Sequence, residues 1–358
     1  MVRLSDVFGT DGNLRPPEKP EKVTPKKESG ETPPRKALLP EVSPKPEEPK
    51  PHESIVLYRE AMEWVKKKFK EAAQGPISDI AGATGIVERF LKYLTGDGEE
   101  LLVLTLALSP KEDPYLYYHC VNVTILSIKV GQGLRYRQED LVLLGIAALV
   151  HDLGMAKVPA DLVERKESLS DEEMKMVRKH PVYTIQLLEG AKGLDQVILD
   201  AVSHEHERLD GSGYPKGLRQ EQVSEFGGII ALVDVYEALT HPRPYRKRHT
   251  PDEAMKMILY SMEHQFKNGL VQILKALVKE LSIYPVGSFV QLNTSEIGQV
   301  VKVNKNFPLL PVIDVWLDTS GSRLSEIKRV NLAQEPLVHI KKSVDILDVM
   351  KGEEHGSI

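Results

Sequence analysis

From Glu139 to Val150 the chain is a nearly continuous run of Leu, Val, Ile and Ala, and it ends on His151-Asp152. Such a run is too long for a strand in this setting, so it predicts a fully buried helix. Its longest uninterrupted apolar part, Leu141 to Val150, is far shorter than the roughly 20 residues needed to span a bilayer. The helix therefore sits inside a protein core and delivers two ionisable groups there. Burying an unpaired carboxylate is costly. Metal ligation would offset that cost, and so would a His-Asp hydrogen bond combined with helix capping.

Helical patterns surround this run. Ile55, Met62, Val65 and Phe69 form one stripe between Glu53 and Gln74, stopped by Gly75-Pro76. A second stripe, Ile86, Val87, Phe90, Leu91 and Leu94, closes at Gly96-Asp97-Gly98, and Leu101 to Leu108 predicts a buried helix. Asp113-Pro114 reads as an N-cap and first helical position, opening a helix from Tyr115 to about Gly131 that carries His119. Ser170 with Glu173 forms a capping box for a helix reaching His180, where Pro181 must end, restart or kink it. Further helices are predicted over Gln196 to Glu205, Phe226 to Thr240, from Thr250-Pro251-Asp252-Glu253 onward, and over Gly269 to Leu281. Within the second of these, Asp234 stands among Ile229, Ile230, Leu232, Val233 and Val235, where a lone acid asks for a counter-charge.

After Tyr284-Pro285 the pattern becomes short β-type runs, Phe289 to Leu292, Gly298 to Val303 and Val312 to Leu317. A small β-barrel or sandwich is expected there. Residues 1–52 hold 11 of the 24 prolines, interleaved with Lys and Glu, a composition that favours a disordered tail. The chain thus divides into a tail at 1–52, an N-terminal helical region at 53–110, a helical metal-site domain at 111–282, a β-module at 283–345 and a flexible tail at 346–358.

The formal charge of −5 gives no general attraction for a nucleic acid polymer or an anionic membrane. The one cysteine, Cys120, cannot form an internal disulfide, which favours a reducing compartment, and it reads as a small buried apolar residue. With no signal-type apolar core at the N-terminus, a cytoplasmic location is expected.

A second cluster lies at His204 to Gly217, His-Glu-His-Glu-Arg-Leu-Asp-Gly-Ser-Gly-Tyr-Pro-Lys-Gly. Taken with His119, His151-Asp152, His180 and Asp234, it spreads nitrogen and oxygen donors over five helices, a pattern suited to a metal site in a helical bundle. A carboxylate directly following a histidine can bridge two ions, the arrangement used in two-metal phosphoester hydrolysis.

This order, with His151-Asp152, then His206-Glu207-Arg208-Leu209-Asp210-Gly211-Ser212-Gly213-Tyr214-Pro215, and Arg243-Pro244-Tyr245-Arg246 beyond, resembles the HD-GYP family of HD-domain phosphohydrolases. The resemblance runs from about His119 to Phe266. It implies a mainly α fold, a helical-bundle HD domain followed here by a small β-barrel-like module. It also implies hydrolysis of cyclic di-GMP to pGpG or GMP, and two divalent ions, iron or manganese. In family terms His119, His151, Asp152, His180, His206 and Asp234 match metal-ligand positions. Arg243 and Arg246 match residues near the substrate phosphates.

Three departures stand out. Glu205 occupies a position where the family has a histidine. His204 lies one residue earlier, turned by about 100° on a helix, so Glu205 is favoured as the ligand. Met155 stands where the family has lysine, with Lys157 two residues on as a candidate to act on phosphate. Tyr115 stands where members with three metals carry a glutamate, so two ions are expected. Tyr214 and Pro215 are expected to shape the site mouth or a docking surface for a signalling protein. A homodimer is a further option. The alternative to a phosphodiesterase is an HD-GYP sensor or scaffold, weakly active or inactive, that binds metal or cyclic di-GMP and signals through protein partners.

Overall fold

The structure is a computed structural model that describes residues 52–345, apart from 97, 107–113, 164, 166, 242–247, 266–269 and 305, and without the side chains of 261–265. The two expected tails, except His52, and both Arg243 and Arg246 lie outside the described residues.

Helices α1 (Glu53–Gln74), α2 (Ala83–Thr95) and α3 (Glu99–Leu104) come first. The first ends where Gly75-Pro76 removes the means of continuing it. Helices α4 (Tyr115–Gly133) and α5 (Gln138–Val150) are buried along almost their whole length, as an apolar surface on every side requires. Pro114 is extended, with ψ 137°, and acts as the N-cap of α4 instead of its first helical residue. Cys120 is buried and free.

After α5 a 3₁₀ turn, Leu153–Lys157, leads to α6 (Ala160–Val163) and α7 (Asp171–Val177). The Ser170–Glu173 capping box opens α7: the Glu173 amide donates to Ser170 Oγ at 3.3 Å and the Ser170 amide to Glu173 Oε2 at 2.9 Å. The chain stops this helix at Val177 and starts α8 (His180–Leu188) afresh, so Pro181 falls in a first turn, where its missing N–H costs nothing. Helices α9 (Gln196–His204), α10 (Glu225–Thr240), α11 (Pro251–Gln265) and α12 (Val271–Leu281) complete the helical part.

Helix α4 packs against α1, α5, α10 and α12, while α9 lies across α5, α8 and α10. The 3₁₀ turn is held against α1 and α8. Gly154 permits this, because a Cβ there would fall 2.0 Å from the His180 carbonyl oxygen. In return the Gly154 amide donates to Thr184 Oγ1 at 2.9 Å, and that hydroxyl donates to the His151 carbonyl at 2.9 Å. Two histidine-bearing segments are thus fastened together by one threonine.

The C-terminal strands β1 (Phe289–Leu292), β2 (Ile297–Lys302), β3 (Val312–Leu317), β4 (Arg323–Asn331) and β5 (Ile340–Val344) form one antiparallel sheet in the order β4-β3-β2-β1-β5. Alternate residues Val290 and Leu292, Ile313 and Val315 fill its apolar face with Val300, Val330 and Leu332. Asp314 pairs with the guanidinium of Arg329 across β3 and β4 at 2.7 and 2.8 Å. Arg248, just before α11, grips Asp345 just after β5 through two bonds of 2.9 and 2.6 Å, so the last strand is tied to the helices. Among the described residues no helix is long and apolar enough to cross a membrane.

Candidate metal centre

The end of α5 places His151 and Asp152, α4 contributes His119, α8 begins on His180, Glu205 and His206 directly follow α9, and α10 carries Asp234. These seven side chains converge. His119, His151 and Asp234 bring ligand atoms within 4.8 Å of one another, and so do His180, Glu205 and His206. Asp152 lies between the two triads. Its Oδ1 is 3.3 Å from His180 Nε2, while its Oδ2 is 3.6 Å from His119 Nε2 and 3.8 Å from His151 Nε2.

The ring orientations follow from local hydrogen bonds. His151 Nδ1 lies 2.8 Å from the Ala148 carbonyl, and His180 Nδ1 lies 2.8 Å from the Val177 carbonyl. A carbonyl can only accept, so each Nδ1 carries a proton and each Nε2 faces inward, the nitrogen that a metal would take. His119 is held by the carboxylate of Glu237 at Nδ1, with Nε2 2.9 Å from Asp234 Oδ1. Asn122 donates to the other oxygen of Glu237 at 3.0 Å and accepts from the Tyr58 hydroxyl at 2.7 Å. A buried chain therefore runs from α1 through Asn122 and Glu237 to a ligand ring.

Several groups in the cluster lack the partners that burial demands. His151 Nε2 and both carboxylate oxygens of Glu205 are buried with no hydrogen bond. His206 Nε2 and His180 Nε2 face each other at 2.9 Å. Burial, and then the neighbouring His180, pushes His206 down to about 4, which keeps it neutral. Burial raises Glu205 well above the usual carboxylate range. For Asp234 burial opposes ionisation, but the His119 hydrogen bond, and then the attraction of His119, outweigh it and hold the carboxyl low. Asp152 behaves alike, held low against burial by His151, His180 and His119. Inward-facing imidazole nitrogens and orphaned carboxylate oxygens with no thiolate form a donor set that fits borderline or hard divalent cations.

The Gly-Tyr-Pro turn closes over the second triad. Glu207 is buried, and its two oxygens accept from the Lys216 amide at 2.6 Å and the Leu218 amide at 2.9 Å, just after a cis Tyr214–Pro215 bond, while the Tyr214 amide donates to the His206 carbonyl at 3.1 Å. A Cβ on Gly213 would lie 2.3 Å from the Arg208 nitrogen, so the turn needs glycine there for close approach. Tyr214 stacks on His206, with ring centroids 4.8 Å apart at 22°. Pro215 is exposed.

Residues 106–267 match the family described as HD domain, and residues 289–352 match a KOW domain associated with HD domain. A cyclic di-GMP phosphodiesterase of Pseudomonas aeruginosa is 32% identical over 252 residues, 70% of this chain and 59% of that protein. Another cyclic di-GMP phosphodiesterase, from Borreliella burgdorferi, is 28% identical over 56% of this chain and 52% of its own length. An HDG"Y"P protein from Bdellovibrio bacteriovorus shares the fold, with a TM-score of 0.52 and 19% identity over 63% of this chain and 70% of that one. The residues matched to the HD domain include all seven donors, the paired triads and Asp152 between them. The chain spans a little over half the length of the two curated relatives.

Within the matched residues, not every expected site residue joins the cluster. Lys157 is exposed, and its ammonium donates to the Ala73 carbonyl of α1 at 3.3 Å; the 3₁₀ turn carries the lysine to that helix and not into the cluster. Met155 is buried. His204 accepts from the Ser224 amide at 3.1 Å and so serves the start of α10. Glu237, Asn122 and Glu207 were not singled out from the sequence. Glu237 follows Asp234 by three residues and thus shares its helical face, a signal present in the sequence. Nothing in the sequence marked Asn122 or Glu207 as partners.

Proposed function

We propose that this chain is a metal-dependent phosphodiesterase that hydrolyses cyclic di-GMP to pGpG or GMP, with two divalent ions, iron or manganese, at the paired triads. The observation that carries this reading is Asp152, whose two oxygens face different triads. His119, His151, Asp152 and Asp234 would hold one ion and His180, Glu205 and His206 the other, with Asp152 shared. Ions bound there supply activation of water and neutralisation of phosphoryl charge. The substrate class follows the names of the relatives above.

The chain's own groups do the rest. The Ala148 and Val177 carbonyls and Glu237 fix the proton on Nδ1 of His151, His180 and His119, keeping each Nε2 available. Asp152 and Asp234 stay ionised at neutral pH. Tyr214, stacked on His206, walls off one side of the second triad and limits the access of bulk water.

The test is to load the full chain anaerobically with iron or manganese, measure metal per chain, and follow cyclic di-GMP turnover in wild type and Asp152→Ala. Two ions per chain, with turnover falling by at least about a hundredfold in Asp152→Ala, are expected for a shared ligand. Tight cyclic di-GMP binding without turnover in any metal would replace the enzyme by a sensor.

A further inference from the structure

A cyclic dinucleotide carries two phosphodiesters, and only one can lie at the metal centre during a given cleavage. The other is an anion that needs its own cation. Met155 cannot supply one and Lys157 is occupied at α1. Arg178, the residue that caps the C-terminus of α7, is exposed and projects its guanidinium over the ring of Tyr214, 5.4 Å from the centroid. That ring stacks on His206 of the second triad, so Arg178 stands at the rim of the metal centre, one ring away from a ligand.

Two further observations separate Arg178 from an ordinary surface arginine. The acid nearest to it on α7 that could pair with an arginine, Glu173, is committed to Arg165 at 2.6 Å, and among the described residues Arg178 meets no carboxylate. Its position is also fixed, because a guanidinium over a tyrosine face is held there by the ring's quadrupole. An uncompensated, positioned fork beside a phosphodiester site matches the two non-bridging oxygens of a phosphate.

We propose that Arg178 is a specificity-determining residue that binds the second, uncleaved phosphodiester of a cyclic dinucleotide. The proposal rests on the phosphodiesterase reading above and adds to it a contact that a substrate with one phosphodiester cannot make. Removing it weakens substrate capture more than the chemical step.

The experiment compares manganese-loaded full-length wild type, Arg178→Gln and Arg178→Lys on cyclic di-GMP and on bis(p-nitrophenyl) phosphate, which carries a single phosphodiester. For Arg178→Gln the KM for cyclic di-GMP should rise about tenfold, the loss of one charge-assisted contact, with kcat changed less than about threefold. The KM for bis(p-nitrophenyl) phosphate should rise less than about twofold, and Arg178→Lys, which keeps the charge without the fork, should recover part of the loss. An unchanged KM for cyclic di-GMP overturns the proposal. So does an equal rise for both substrates, which would make Arg178 a mere prop for Tyr214. If wild type binds cyclic di-GMP without cleaving it, the proposed activity fails, and equilibrium dialysis of the same variants still decides Arg178 by whether affinity drops. If wild type neither binds nor cleaves it, both readings fall.

Discussion

A buried ligand is only as well placed as the group behind it, and Glu237 is the clearest case. It receives the Nδ1–H of His119 on one oxygen and the amide of Asn122 on the other, so both lone-pair sets are used by donors. Glu237→Gln keeps the volume but turns an NH₂ toward one of those donors. The expected outcome is a 10- to 100-fold weaker manganese affinity, the usual order for such an outer partner, measured by competition with a chelator. An affinity within about twofold of wild type would show that His119 is oriented by its own helix alone. At this scale the seven donors were legible because their types and order survive in the sequence. Directions were harder to read: whether Lys157 faced the metal centre or α1 depended on how a five-residue 3₁₀ turn packed. His204 and Glu205 were separable only because one residue on a helix rotates a side chain by about 100°.

Among the elements, boundaries were legible where a residue physically forces them. Glu53–Gln74 ends at Gly75-Pro76, and Ser170 with Glu173 opens α7. Pro181 forced some break, but only packing could decide that the chain would restart. Strand β4, Arg-Leu-Ser-Glu-Ile-Lys-Arg-Val-Asn, escaped detection because most of it is exposed and only Val330 is buried; Ile340 to Val344 of β5 is equally polar. The start of α11 offers a pH test. Burial would raise Asp252, but hydrogen bonds from Thr250 and Lys256 help to outweigh it and hold the carboxyl below its ordinary value. A lowered folded-state value means that this carboxylate stabilises the fold above the ordinary carboxylate range. That contribution is lost as pH falls through its folded value, below about 4. The Tm difference between wild type and Asp252→Asn should therefore be widest at neutral pH and narrow steadily in acid; a difference that grows on acidification would reverse the assignment.

On the scale of the whole molecule, the Arg248–Asp345 fork links the sheet to the helices and is largely shielded from water. Asp345→Asn should weaken that link by about 1.5–3 kcal/mol, the range for hydrogen bonds to charged groups. The two tryptophans report on it separately, Trp64 in α1 and Trp316 in β3. In urea, the Trp316 signal should lose structure before Trp64 in the variant, whereas coincident transitions at the wild-type midpoint would mean that the fork contributes nothing. The division into a helical and a β part was legible from the change of period at Tyr284-Pro285, yet the fork was not, since 97 residues separate its partners.

The carbonyls of Ala148 and Val177 that hold His151 and His180 lie three residues before the rings they orient. The aim of each donor is thus written into four residues, at the end of α5 for His151 and across the break between α7 and α8 for His180. Such a unit is portable: grafted onto the end of another buried helix, four residues would carry their imidazole direction with them, so a centre of this kind can be assembled from separately inherited pieces.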